Sequence, residues 1–170
     1  MVKKIVWSLI LTLLAALLQS TILSRFLIYV HAIPDLALCL LVYVAYINGT
    51  MTGQLTGFFS GFLLDFISAS PLGLNAFVRT IIGAIAGFIK DTFYLDHFFL
   101  PMALCAGATA FKAFVFFLLH FLFPEAVPTY TLTNLVFWVE LGMNTLSAPI
   151  IFGILRLFGS LLARTRESDA

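Results

Sequence analysis

A chain of 170 residues that is 62% hydrophobic and only 10% charged cannot cover a water-facing surface with polar groups. With Lys+Arg 9 against Asp+Glu 8, the net charge of +1 describes no basic face of the kind that nucleic acid requires. A mean hydropathy of +1.09 and 19 Phe point to lipid as the surrounding solvent, because Phe serves equally well against lipid and against other helices.

The apolar segments fall, in chain order, at about 5–23, 34–47, 53–67, 74–89, 98–123 and 132–158. They predict an all-α fold, a polytopic transmembrane bundle of about six helices over residues 1–163, followed by a polar cytoplasmic tail at 164–170. The first segment follows Lys3 and Lys4, is long enough to span, and lacks a clear small-residue cleavage site. It therefore reads as a helix, not as a signal peptide. The second is short, and alone it is ambiguous between a tilted span and a re-entrant helix. Charge placement arbitrates. Lys3 and Lys4 before the first segment, and Arg156, Arg164 and Arg166 at the end of the last, place both termini in the cytoplasm. An even number of crossings follows, and six fits. Trp7 and Tyr94 then sit at the inner interface and Tyr29 and Tyr130 at the outer one, with Arg25 the one dissenting charge.

The third segment carries Gly53, Gly57 and Gly61, spaced by four, and Asp65 continues the series. Such a row forms one slowly drifting ridge on a helix, where glycine lets another backbone approach closely. The ridge is predicted to pack inside the protein, with a partner's helix as the alternative. The fourth segment repeats the spacing with Arg79, Gly83 and Gly87. Asp65 and Arg79 lie at similar depth on either side of the Ser68–Gly73 turn, roughly 10 Å in. They are predicted to pair, either to hold the hairpin or to meet a partner or ligand. Lys112 in the fifth segment and Glu140 in the sixth form a second candidate pair, offset by roughly 4–5 Å. Glu140 leads a polar line through Asn144 and Ser147 on one helix face, before Pro149. An ionised group within the bilayer is by default a functional candidate, but balanced pairs also suit a self-contained bundle.

Catalytic and cofactor readings find little support. Cys39 and Cys105 lie in apolar runs without a CxxC and read as small buried hydrophobes. His31, His97 and His120 lack metal-ligand spacing. Gly57–Gly61 superficially resembles an intramembrane serine-protease motif, but the spacing before Ser60 is one residue too long and nothing places His120 beside it. No cofactor and no enzymatic activity are expected.

Pro34-Asp35-Leu36, the glycine ridge, Leu63-Leu64-Asp65 and the run Ser70-Pro71-Leu72-Gly73-Leu74-Asn75-Ala76 resemble the MreD family of rod shape-determining membrane proteins. The motif positions are Pro34, Asp35, Asp65, Pro71 and Gly73, and length and layout extend the likeness over the chain. The resemblance implies a bacterial inner-membrane subunit of the cell-elongation machinery. Its implied partners are an MreC-like bitopic protein, an MreB-like cytoskeletal filament, and a RodA-type glycosyltransferase with its penicillin-binding transpeptidase. The residues alone leave two functions open. One is a rigid scaffold that binds another protein's transmembrane or juxtamembrane segment. The other is a small-solute-binding subunit similar to the capture components of energy-coupling vitamin transporters. A capture protein needs an outward cavity lined by polar and aromatic groups, whereas the outer loops here are short and the polar groups can pair among themselves.

Overall fold

The computed structural model describes residues 2–19, 34–68, 71–90, 92, 98–127 and 135–157. These form six α-helices and no strand: α1 Val2–Leu18, α2 Leu36–Asn48, α3 Thr50–Ser68, α4 Leu74–Phe88, α5 Phe99–Leu122 and α6 Leu135–Leu157. Helices α5 and α6 are long and apolar enough to cross a membrane. The outer loop at 24–33, Tyr29, His31, Tyr94, His97, Tyr130 and the tail at 164–170 lie outside the described residues.

Helix α2 is the axis of the bundle. Its residues Ala37 through Tyr46 are all buried, and it packs against each of the other five helices. A helix that is apolar on every side has no solvent face to present, and the centre of a bundle is where it belongs. At 13 residues α2 is about 20 Å long, short of a ~30 Å hydrocarbon layer. Asp35 caps its first turn by accepting from the Leu38 N–H at 3.0 Å, and Asp35 itself is buried.

Helices α3 and α4 form the tightest pair, and the glycine rows explain it. A Cβ on Gly53 would strike the Gly83 carbonyl, one on Gly57 the Arg79 carbonyl, and one on Gly61 the Asn75 carbonyl and Ala76 backbone. Gly83 and Gly87 meet the backbones of Gly53 and of Gly49–Thr50 in return. The two ridges are therefore pressed together inside the hairpin. In lipid such backbone contact supplies the van der Waals packing that hydrophobicity cannot.

The surface is the inverse of a soluble protein's. Ser8, Thr12, Thr56, Ser60, Thr109 and Asn144 are buried, while Phe66, Phe88, Phe99, Phe121 and Leu157 are more than 60% exposed. Thr12, Ser60 and Thr109 satisfy their hydroxyls on carbonyls of their own helices, and Ser8 meets Thr56 across the α1–α3 contact at 3.1 Å. Tyr43 of α2 meets Phe152 of α6 edge to face at 5.0 Å, which ties the last helix to the axis.

Candidate functional site: a buried ion cluster at the head of α2

Four charged side chains from four helix segments converge where α2 begins. Asp35 receives Arg79 of α4, whose Nη2 lies 2.6 Å from Oδ1 and 2.9 Å from Oδ2. Lys112 of α5 lies 3.1 Å from the same carboxylate and 2.7 Å from Oε1 of Glu140 on α6. Asn144, one turn beyond Glu140, accepts the Asp35 backbone N–H on Oδ1 at 2.7 Å and donates from Nδ2 to Thr109 at 2.9 Å. Side-chain exposures of 7% for Asp35, 4% for Arg79, 16% for Lys112 and 9% for Glu140 place the cluster in the interior.

The arrangement follows from charge and dielectric. Each ion near a bilayer centre costs about 2.5–3.5 kcal/mol on insertion scales unless it is compensated. Two carboxylates and two cations sum to zero, and Lys112 bridges the two carboxylates so that the four form one network. A single Arg79 nitrogen, Nη2, makes both contacts to Asp35, and Nη1 is buried with no hydrogen-bond acceptor among the described residues. Only one mutual placement of α2, α4, α5 and α6 brings these groups together, so the cluster fixes helix register as well as charge.

The proposed Asp65–Arg79 hairpin pair is not what forms. Arg79 turns toward Asp35, and Asp65 has a different task. Its Oδ2 accepts the N–H groups of Gly73 at 2.9 Å and Ala76 at 3.3 Å, and its Oδ1 accepts the Asn75 N–H at 3.0 Å and Asn75 Nδ2 at 2.9 Å. The carboxylate at the end of α3 thus caps the start of α4, where unbonded N–H groups and the helix dipole favour a negative charge. Gly73 supplies the left-handed φ of +95° that brings the chain back over it, and Leu74 N–H closes the turn on Pro71 at 3.1 Å. The run from Asp65 through Pro71, Gly73 and Asn75 is therefore one capping device. Similar depth alone does not distinguish an arginine from a helix terminus as the carboxylate's partner.

Ser147 lies on the Glu140–Asn144 helix yet stays out of the cluster, because its hydroxyl donates to Met143 O at 2.7 Å and Asn144 O at 3.3 Å. Helix α6 runs through Pro149 to Leu157. Ser60 and His120 are not joined, since Ser60 donates to Gly57 O and His120 Nδ1 meets Val127 O at 2.7 Å. Cys39 and Cys105 are fully buried, and Cys39 Sγ lies 3.9 Å from Asn144 O, under the cluster.

Sequence reasoning had placed Asp35 among the motif positions without assigning it a charge partner, and it had not singled out Thr109. Pro-Asp-Leu at the opening of an apolar run is a helix-start signal that marks Asp35 as a cap. Thr109 precedes Lys112 by three residues and so shares its helix face.

Comparison with known families returns a match over residues 1–162 to the family described as rod shape-determining protein MreD. No curated protein and no solved structure matches the chain.

Proposed function

The chain belongs to the MreD family of rod shape-determining membrane proteins, and from that premise we propose that it is a non-enzymatic scaffold subunit of the bacterial cell-elongation complex. Its work in this reading is to hold an MreC-like bitopic protein beside the peptidoglycan-synthesising enzymes, with the MreB-like filament and the RodA-type glycosyltransferase and transpeptidase as direct or indirect neighbours. It sits in the inner membrane with both termini in the cytoplasm.

The observation that supports this reading is the way intramembrane charge is spent internally. Asp35, Arg79, Lys112 and Glu140 compensate one another, and Asp65 is given to a helix terminus. The glycine ridges, which could have received a foreign helix, receive each other. A solute-capturing subunit would keep polar groups turned toward a ligand. A scaffold needs them turned inward, so that a fixed set of lipid-facing surfaces is offered to partners.

The test is affinity purification of the full chain in mild detergent after co-expression with an MreC-like protein. Recovery of a stable complex is the expected result. Recovery of a vitamin or of an ATPase module in its place would assign the chain to the energy-coupling transporter class. Cysteine labelling at the two ends, expected to require permeabilised cells at both, tests the orientation.

A further inference from the structure

Below the ion cluster the fold joins two thiols from separate helices. Asp35 and Thr109 are held to the same Asn144, at 2.7 and 2.9 Å. One turn further from the charges on each helix stands a cysteine: Cys39 N–H donates to Asp35 O at 3.1 Å, and Thr109 Oγ1 donates to Cys105 O at 2.8 Å. The two thiols hydrogen-bond to each other, and Cys39 Sγ also lies 3.9 Å from Asn144 O. We propose that this pair is a metal site, two thiolates of α2 and α5 that take one two-coordinate thiophilic divalent cation, with Hg2+ as its probe. The inference stands apart from the scaffold reading.

Ligand number narrows the choice of ion. Among the described residues, no group of three or more His, Cys, Asp and Glu side chains is placed to hold a metal. Zinc, which protein sites surround with three or four side chains, finds two here. Thiolates are soft ligands and prefer soft ions, and Hg2+ is content with two of them in a line.

Charge narrows it again. Both cysteines are fully buried and belong to the apolar core that also holds Leu38, Val42 and Ala108. Asp35, Arg79, Lys112 and Glu140 already sum to zero, so a net charge left at the thiols is poorly compensated. Uptake of Hg2+ breaks two S–H bonds, forms two Hg–S bonds and sends two protons to water, with no change of oxidation state. The site is neutral before and after. A monovalent thiophile such as Ag+, bridging the same two thiolates, would leave one negative charge in the core. It should therefore displace one proton and be held by one thiolate.

Burial makes entry slow and release slower. A buried thiol is inert until the fold opens locally, so the property that reveals the site is retention and not rate. Two thiolates held in one place by the fold resist a competing monothiol that readily strips a single one, because the second Hg–S bond reforms within the molecule. Once bound, the ion ties α2 to α5 beneath the contact that Lys112 makes with Asp35.

The experiment loads the full chain in mild detergent with HgCl2 over hours, titrates it with glutathione, and reads bound mercury by native mass spectrometry. Wild type is expected to hold one Hg2+ with two protons lost. Its release should need about a hundredfold more glutathione than release from Cys39→Ala or Cys105→Ala. The chain has two cysteines, so each variant offers a single thiolate. Where one alanine variant folds poorly, the other, or Cys39→Ser or Cys105→Ser, carries the comparison. Bound Hg2+ should also raise the unfolding temperature of wild type and leave that of the single variants where it was. Ag+ should displace one proton and leave wild type and the variants at similar glutathione concentrations. Equal release of mercury from wild type and from a folded single variant removes the site. Folded wild type that takes up no mercury, or that loses helicity on loading, removes it as well. Two protons lost to Ag+ overturns the argument from charge.

Discussion

Removing the charge of Asp35 is the sharpest test of the ion cluster. Asp35→Asn preserves shape and capping ability, since Asn serves at a helix N-cap as well as Asp does. What it removes is the anion between Arg79 and Lys112. Lys112 keeps Glu140 at 2.7 Å, but Arg79, with 4% of its side chain exposed, has no second carboxylate among the described residues. Breaking a buried pair by removing one partner costs about 3–5 kcal/mol. The surviving Lys112–Glu140 contact puts the expectation near the lower end, about 3 kcal/mol. Asp35→Ala also loses the bond to the Leu38 N–H at 3.0 Å, and the missing cap adds about 1 kcal/mol.

The assay is reversible unfolding in mixed detergent micelles, run as a double-mutant cycle on Asp35→Asn and Arg79→Met. Replacing both ions leaves no uncompensated charge at that contact, so the double variant should be more stable than the sum of the single losses predicts, by at least about 1.5 kcal/mol. The cycle on Asp65→Asn and Arg79→Met should be additive within about 0.5 kcal/mol. Additivity at Asp35–Arg79 together with coupling at Asp65–Arg79 would refute the assignment and restore the hairpin pair.

Gly57→Leu drives a branched side chain into the Arg79 carbonyl and should cost about 3 kcal/mol or more in the same assay, whereas Gly142→Leu, with open space at its Cβ, should be neutral or slightly stabilising. Asp65→Ala strips the cap from α4 and should cost about 2 kcal/mol, with Asp65→Asn recovering part of it, while Gly73→Ala at φ +95° should cost about 1 kcal/mol; thermal shifts in detergent rank the three. Helix α1 packs chiefly on α2 and α3 and meets α3 through the Ser8–Thr56 contact, outside the ion cluster, so its amides should exchange with deuterium before those of α2 through α4. Exchange of α1 as slow as that of α2 would show that its apolar packing holds it as firmly as ions hold the rest.

How much of this was legible in the sequence depends on how far apart in the chain the partners lie. The glycine rows could be read because both ridges repeat every four residues and a short turn joins them. Lys112 and Glu140 could be matched because α5 and α6 are consecutive, so depth counted from their shared loop locates both. Arg79 was misassigned because its carboxylate comes from residue 35, 44 positions away on a helix that is not its hairpin partner. Asp65 was misassigned because its partners are backbone N–H groups, which carry no residue signature. The turn residues Pro71 and Gly73 carried the indirect sign of that cap. The short second segment was ambiguous from hydropathy alone, because length cannot distinguish a helix that stops at a buried cap from one that tilts.

The ion cluster and the glycine lock act on overlapping sets of helices, and their overlap bears on how such a protein can work. The cluster joins the head of α2 to α4, α5 and α6, and the lock joins α3 to α4 along the full length of their contact. Helix α4 belongs to both. Sliding α4 against α3 by one residue would set Cβ atoms against backbone at several glycine positions, and the same slide would draw Arg79 from Asp35. A movement that leaves both intact must carry α2 through α6 together. In the scaffold reading, a response to a partner would then be a rigid-body tilt of that unit, and the exchange experiment above tests whether α1 adjusts apart from it. Such rigidity fits the scaffold reading proposed above, in which a fixed set of surfaces is offered to partners.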